Sequence, residues 1–313
     1  MNPTADRSKG EFLPGVRWVS HRSTVGIVLV VVLFLIGEGR TGQAVAAEAE
    51  GPPRPSPQWR VSATVNYSSG SYGTDSKTNI VYAPMTIRRI FRDGDVSLTI
   101  PFISISGTGA VRVVGGVPVR TGSATGTTAA PAGAGGGRGK GPGDSPLTSA
   151  TTDSGLGDLI LRGRYYVVEE SSILPLVALT GKIKFPTADA DRGLGTGEFD
   201  EGVGVELTKR LAARWLAYLD GGYNFIGDAP GTDFHNQWWY DAGIGYDVTD
   251  DLHMSVFYEE YRALVNTVNN SRYLLALANY VVNDVVRVTG SALAGLSNGA
   301  PNYGFGVGIR LQF

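Results

Sequence analysis

The sequence predicts an all-β protein: a transmembrane, antiparallel, up-and-down β-barrel of about twelve strands, preceded by a signal peptide. Three observations predict it. Apolar residues recur at every second position through the segments that follow a proline-rich stub. The connections between those segments alternate in length. Glycine accounts for 44 of 313 residues, roughly double average usage, while cysteine is absent.

The bulk numbers remove several classes. A net charge of −2 gives no footprint for a nucleic-acid partner. Hydrophobic residues are 42% of the chain and mean hydropathy is near zero, too polar for a helical membrane protein. Without cysteine there is no disulfide framework, thiolate metal site, thiol nucleophile or lipid-modified cysteine anchor.

Residues 1–47 read as a signal peptide with an extended basic leader. Arg7, Lys9, Arg17 and Arg22 precede the apolar run VGIVLVVVLFLI, residues 25–36. That run is shorter than the roughly 20 residues a spanning helix needs. Ala44 and Ala46, or Val45 and Ala47, supply the small pair expected at a cleavage site. An uncleaved signal anchor is the rival reading. Residues 48–56 form a short proline-rich periplasmic stub, and 57–313 form the barrel.

Twelve segments follow with a period of two, the mark of a strand whose faces differ. They are roughly 57–68, 76–90, 93–106, 154–168, 172–185, 198–210, 213–226, 235–248, 251–264, 270–283, 285–297 and 302–313. In the first, Trp59, Val61, Ala63, Val65 and Tyr67 oppose Arg60, Ser62, Thr64, Asn66 and Ser68. In the fifth, Ile173, Pro175, Val177, Leu179, Gly181, Ile183 and Phe185 oppose Lys182 and Lys184. In the eighth, Trp238, Tyr240, Ala242, Ile244, Tyr246 and Val248 oppose Trp239, Asp241, Gly243, Gly245 and Asp247. The tenth, RYLLALANYVVN, is apolar on both parities. The last sets Tyr303, Phe305, Val307, Ile309, Leu311 and Phe313 against Gly304, Gly306, Gly308, Arg310 and Gln312.

The connections separate a lipid-spanning barrel from a soluble sandwich. Short turns (RDGD, ESS, LAA, TDD, ND) alternate with long loops such as TADADRGLGTGEF and GDAPGTDFHN. Outer-membrane barrels sort their loops this way, tight on the periplasmic side and long outside. The apolar face then meets outer-membrane lipid, with aromatics near strand ends as interfacial girdles. The extracellular loop 107–153 contains a low-complexity stretch, 121–146, too poor in apolar groups to order itself. Its neighbour AVRVVGGVPVR, within 109–120, reads as a strand extension or a loop hairpin.

The lumen charges are the main candidate site. By parity, Arg162, Arg164, Lys182 and Lys184 point inward from strands four and five. Glu206, Asp220, Asp241, Asp247 and Glu259 point inward from strands six to nine. Arg60, Arg287 and Arg310 return on the closing side. A basic wall would then face an acidic one, and opposed charges tune selectivity in pores. Equally, these groups could pair into a salt-bridged plug. Twelve strands spaced ~4.8 Å and tilted ~40° give a backbone diameter of roughly 24 Å. Side chains would leave a gap of about 10 Å or less.

Other chemistry is weaker. His253 and Ser255 share a face, and an outer-membrane phospholipase uses a histidine and a serine at that spacing. In that enzyme the pair faces lipid; here Leu252, Met254 and Val256 take that face, so a lumen-lining histidine is the simpler reading. GGGRGKGPG lacks the Ser or Thr that a phosphate loop needs after Gly139-Lys140. The acidic loop with Asp189, Asp191, Glu198, Asp200 and Glu201 has Leu194 where a calcium hand needs glycine. No catalytic residue, metal site or cofactor is expected.

At SGLGDLILRGRYYVV (154–168) and LPLVALTGKIKFPTADADRGLGTGEFDEGVGVELTKRL (174–211) the chain resembles the outer-membrane transporters grouped with the meta-pathway of phenol degradation. The cues are Gly155-Leu156-Gly157-Asp158 opening a strand, Lys182 to Thr187 running into a glycine-rich loop, and the closing strand 302–313. The insert 121–146 departs from the family pattern. The resemblance implies a Gram-negative outer-membrane β-barrel for uptake of small, often aromatic, compounds, with no catalytic residues to carry over. It also implies that Phe313 is recognised by the barrel assembly machinery. The expected function is passive passage of small organic solutes along Arg162, Arg164, Lys182, Lys184, Glu206, Asp220, Asp241 and Arg310. The alternatives are a closed structural or surface-display barrel and, behind it, an outer-membrane hydrolase.

Overall fold

The computed structural model describes residues 58–107, 111–114, 117–120, 151–228 and 233–313. The expected signal peptide, the stub and the stretch 121–146 lie outside the described residues.

Among the described residues fifteen strands run in chain order: β1 (Gln58–Gly70), β2 (Thr78–Phe91), β3 (Gly94–Gly107), β4 (Val111–Val114), β5 (Val117–Arg120), β6 (Thr151–Leu156), β7 (Leu159–Val168), β8 (Leu176–Phe185), β9 (Asp200–Arg210), β10 (Trp215–Phe225), β11 (Gln237–Asp247), β12 (Leu252–Tyr261), β13 (Ser271–Val281), β14 (Val286–Gly295) and β15 (Tyr303–Gln312). All but β4 and β5 belong to one antiparallel sheet, in which β15 pairs back onto β1 and closes the barrel. β6 and β7 both pair with β3, so they are two halves of one stave. The barrel therefore has twelve staves, as the alternation predicts.

The fourth stave differs from its expectation. It begins at Thr151 rather than 154 and is interrupted at Gly157-Asp158. A Cβ at Gly157 would lie 2.5 Å from Ile103 Cδ1, so the chain dips there against β3. Thr187 clamps both sides of the break, its hydroxyl donating to Gly157 O (3.1 Å) and accepting from Leu159 N (2.9 Å).

Alternation places every stave's faces. Val65, Met85, Leu219, Ile244, Val256 and Val307 are exposed on the outside, whereas Asp95, Arg162, Lys182, Glu206 and Asp241 are buried inside. This inversion of the soluble rule is what a sheet closed around a polar middle and covered by lipid requires. The tenth stave, apolar on both parities, is settled by the lumen. Tyr273, Leu275 and Leu277 of β13 are buried, and Leu274 and Tyr280 are exposed. Both faces are apolar because the interior is itself apolar beside β13.

The seam is closed at its short-turn end by Trp59 and Phe313. Trp59 N donates to Phe313 O (2.7 Å) and Phe313 N to Trp59 O (3.0 Å). The Phe313 side chain projects outward, 67% exposed. The inward glycines of β15 make room for neighbours: a Cβ at Gly306 would meet Asn66 Oδ1 at 2.2 Å and Ser291 Oγ at 2.4 Å.

The segment 109–120 contains a hairpin, β4–β5, in a sheet of its own. It sits in the long-loop mouth. Val111 and Val113 join a buried cluster with Tyr72, Ile80, Ile103 and Leu194. Val114 joins a second cluster that includes Phe234, Leu264 and Ala300. Arg112 Nη1 donates to Ala190 O (3.1 Å) and Gly195 O (3.4 Å) in the β8–β9 loop. The hairpin thus bridges opposite sides of the mouth.

Candidate functional site

The lumen has two unlike walls. The first, built by β2, β3 and β7 to β9, is an ion-pair network. Arg162 Nη2 pairs with Glu206 Oε1, and Arg164 Nε lies 2.9 Å from Glu206 Oε2. Arg164 also reaches Asp95 at 3.6 Å, and Asp95 takes Arg88 at 3.5 Å. Glu206 thus holds two guanidiniums, and Asp95 holds Arg164 and Arg88, so cations and carboxylates are interleaved along this wall. Here the arginines are paired with carboxylates of nearby staves, the arrangement of the salt-bridged alternative. Register sets Arg162 beside Lys182, and the two arginines of β7 reach across β8, where Ala178 stands beside Glu206, to the carboxylate on β9.

Register also lines up Glu206, Asp220, Asp241 and Glu259 across β9 to β12. Like charges side by side on a sheet repel. Donors relieve this: Leu207 N donates to Asp220 Oδ1 (3.0 Å), and the Tyr261 and Tyr273 hydroxyls donate to Glu259 Oε2 (3.1 and 2.9 Å).

The structure does not bring all the expected residues together. Lys184 lies apart, towards the long-loop end and fully buried. Its Nζ is 3.1 Å from Asp158 Oδ2, 2.8 Å from Asp200 Oδ2 and 2.9 Å from Thr196 Oγ1. Asp158 in turn accepts from Ala188 N (3.0 Å), and Asp200 from Gly227 N (3.1 Å). Gly195 is pressed against this carboxylate, since a Cβ there would stand 2.8 Å from Asp158 Oδ2. Lys184 therefore pins the β8–β9 loop and the broken stave. Arg310 lies at the opposite, short-turn end, lining a cavity of about 90 Å³ with Arg287, Asp247, His253 and Asn279.

The second wall, built by β10 to β14, carries beside Asp220, Asp241 and Glu259 an aromatic and aliphatic surface: Tyr218, Trp239, Phe257, Tyr261, Tyr273 and Leu275 are buried in one cluster. Trp239 and Tyr261 are near-parallel with centroids 6.4 Å apart, and Tyr261 and Tyr273 follow at 6.2 Å. Such spacing lies within the range of favourable ring contacts. Sequence reading missed this wall. A signal existed, in the inward parity of Trp239, Phe257, Tyr261 and Tyr273, but attention to charges hid it.

His253 faces the lumen, as parity predicts. Nδ1 is 2.7 Å from Asp247 Oδ1 and Nε2 is 3.2 Å from Tyr218 Oη. Both ring nitrogens are therefore occupied, and neither is placed to act as base for Ser255. Among the described residues no group of three or more His, Asp or Glu is arranged to hold a metal ion.

No curated protein matches the chain in sequence. Among solved structures it is similar to the COG4313 outer membrane channel from Pseudomonas putida F1, at 13% identity and a TM-score of 0.60. That match covers 85% of this chain and 99% of the channel. It is also similar to the KdgM porin, at 6% identity and TM-score 0.47 over 81% of this chain and 99% of that one. A third is the P. putida toluene transporter TodX, at 10% identity and TM-score 0.39 over 89% and 94%. The likeness to the COG4313 channel shows the fold, that of an outer-membrane β-barrel. With the family described as "Putative MetA-pathway of phenol degradation" matching residues 95–313, the chain belongs to that family.

Proposed function

We propose that the barrel provides passive passage for small organic solutes, aromatic ones among them. The observation that carries this reading is the division of the lumen into an ion-paired wall and an aromatic wall. A path between them offers a ring a stacking surface and a polar edge a charged one, without fixing a tightly held ligand. The family's association with phenol degradation agrees with an aromatic cargo. Arg162, Arg164, Lys182, Glu206, Asp220 and Asp241 set the polarity of the middle, Lys184 fixes the outer loop, and Arg310 lies at the periplasmic exit. Outside, lipid covers the apolar band, and Phe313 is the residue through which the assembly machinery would engage the barrel.

Single-channel recording in planar bilayers, with liposome swelling by sized sugars and aromatic acids, tests it. Steady conductance altered by Lys182→Glu supports the channel. Silence from a folded barrel favours the second reading, a closed structural barrel, for which the buried ion pairs and the seated β4–β5 hairpin speak.

A further inference from the structure

A guanidinium faces outward at the short-turn end of the barrel. Arg89 shares the outer face of β2 with Met85 and Phe91, which are 48% and 47% exposed. Its cross-strand partner is Trp59 of β1, whose backbone pairs with Phe313 across the seam. The Arg89 guanidinium carbon lies 4.8 Å from the Trp59 ring centroid and 5.9 Å from that of Phe91. Two ring contacts at this range fix where the cation stands, and neither supplies an oxygen for its N–H donors. Among the described residues no carboxylate lies within ion-pair distance of it. Its neighbours differ: Arg88 turns inward to Asp95 at 3.5 Å, and Arg92, in the turn, stands 3.8 Å from Asp93.

A charged donor on the outer face takes its acceptor from outside the chain. The level at which Arg89 stands narrows the choice. Phe91 is the last residue of β2, so Trp59, Arg89 and Phe91 belong to the aromatic rim at the short-turn end. In a lipid-embedded barrel that rim lies at the head-group layer of the periplasmic leaflet, where the abundant anion is phosphate. A guanidinium meets a phosphodiester through two N–H donors at once. The wall beside Arg89 suits an acyl chain. Next along β1 come Val61 and Ala63, each flanked by a longer side chain on either side: Ile87 and Leu311, then Met85 and Ile309. Short residues between long ones leave a furrow along β1 that begins at Trp59.

We propose that Arg89, seated against Trp59 and Phe91, binds the phosphodiester of a glycerophospholipid, one acyl chain of which lies along the Val61–Ala63 furrow. The proposal rests on the barrel's being embedded in lipid, and it is independent of whether a solute passes through the lumen. The lipid bound there lies along the closing pair, β15 and β1, with its head group held from β2. It therefore stabilises the seam at which the first and last staves meet.

The full barrel, folded in a neutral maltoside detergent, tests this through the midpoint of its heat-modifiable unfolding. Dioleoylphosphatidylglycerol should raise the midpoint by roughly 3–5 °C, because a ligand that binds only the folded state stabilises it. Dioleoylglycerol has the chains without the phosphate, and glycerol phosphate has the phosphate without the chains; both should leave the midpoint unchanged. Arg89→Gln should lose the rise, and Arg89→Lys should keep part of it. Arg92→Gln removes a nearby arginine that touches neither ring and should keep all of it, which controls for bulk attraction of anionic lipid. Ala63→Leu fills the furrow and should reduce the rise with Arg89 intact. Heat-modifiable migration without lipid shows that each variant is folded. No rise in the wild type, an unreduced rise in folded Arg89→Gln or Ala63→Leu, or an equal rise with dioleoylglycerol or glycerol phosphate overturns the proposal. So does a lipid-driven dimer of the wild type that Arg89→Gln fails to form, since a second copy then covers this face. A chain that stays monodisperse without detergent overturns the membrane reading itself, whereas an absent rise in a detergent-dependent barrel removes the lipid site alone.

Discussion

Lys184 Nζ lies 3.1 Å from Asp158 Oδ2, joining the long-loop end of β8 to the residue at which the fourth stave breaks. Asp200, at the start of β9, closes the group from the other side. All three are buried, so the ammonium neutralises two carboxylates that have no water to fall back on. Lys184→Met leaves both acids uncompensated. The expected loss is about 3–5 kcal/mol of stability, the range for breaking a buried pair by removing one partner. Urea unfolding of the barrel in detergent measures it. Adding Asp158→Asn and Asp200→Asn to Lys184→Met should recover much of the loss, and no recovery would show that the lysine acts through packing instead.

Glu206 serves two arginines, and its removal should show in selectivity as well as in stability. Glu206→Gln keeps the volume and frees the positive charge of Arg162 and Arg164 towards the lumen. The reversal potential under a salt gradient should shift towards anions relative to wild type. An unshifted potential in a conducting variant would place the ion path away from this network.

The seam supplies a purely steric case. Gly306 faces inward between Asn66 and Ser291, and any side chain there enters space those two already fill. Gly306→Val should cost about 1–3 kcal/mol as overpacking, with β1 and β14 forced apart. Gly290, in the neighbouring stave, has open space at its Cβ position, so Gly290→Val is the control expected to be near neutral.

The last stave shows how much of the fold was legible. Tyr303, Phe305, Val307, Ile309 and Leu311 alternate with glycine and polar residues, and each side chain lies on the face that alternation assigns. A period of two needs no knowledge of the partners. The pairing of Lys184 was not legible in the same way, because Asp158 and Asp200 meet it only through the stagger of three staves and a returning loop. The family motif marked Gly157-Asp158 and Lys182 to Thr187 as special without saying that Thr187 clamps the break. Trp239 was assigned inward, yet the room for its indole depends on Gly204 and Gly222, where a Cβ would stand within 3.1 and 2.8 Å of the ring. Two missing side chains on neighbouring staves become a seat for it only once register is known. The hairpin at 111–120 had the right local pattern for a pair of strands, but where it docks depends on Tyr72, Ile80 and Leu194, which three separate segments bring together.

That docking yields the most direct test of closure. Gly107 and Thr151 are cross-strand partners at the end of the β3–β6 ladder, so the chain between them can be replaced by a two-residue Asn-Gly turn. The ladder from Phe102–Leu156 to Gly107–Thr151 keeps its register, and the twelve staves are untouched. What disappears is the bridge across the mouth: Val111 and Val113 from one buried cluster, Val114 from the other, and the two hydrogen bonds of Arg112 to the β8–β9 loop. Deleting 108–150 should raise single-channel conductance several-fold while heat-modifiable migration stays as in wild type. Arg112→Ala, which loosens only one anchor, should produce brief openings rather than a permanently higher level. If the deleted barrel is folded and its conductance equals that of wild type, the constriction lies deeper, at the Glu206 network. In that event Glu206→Gln becomes the variant that opens the path, since it releases the two guanidiniums held on that carboxylate.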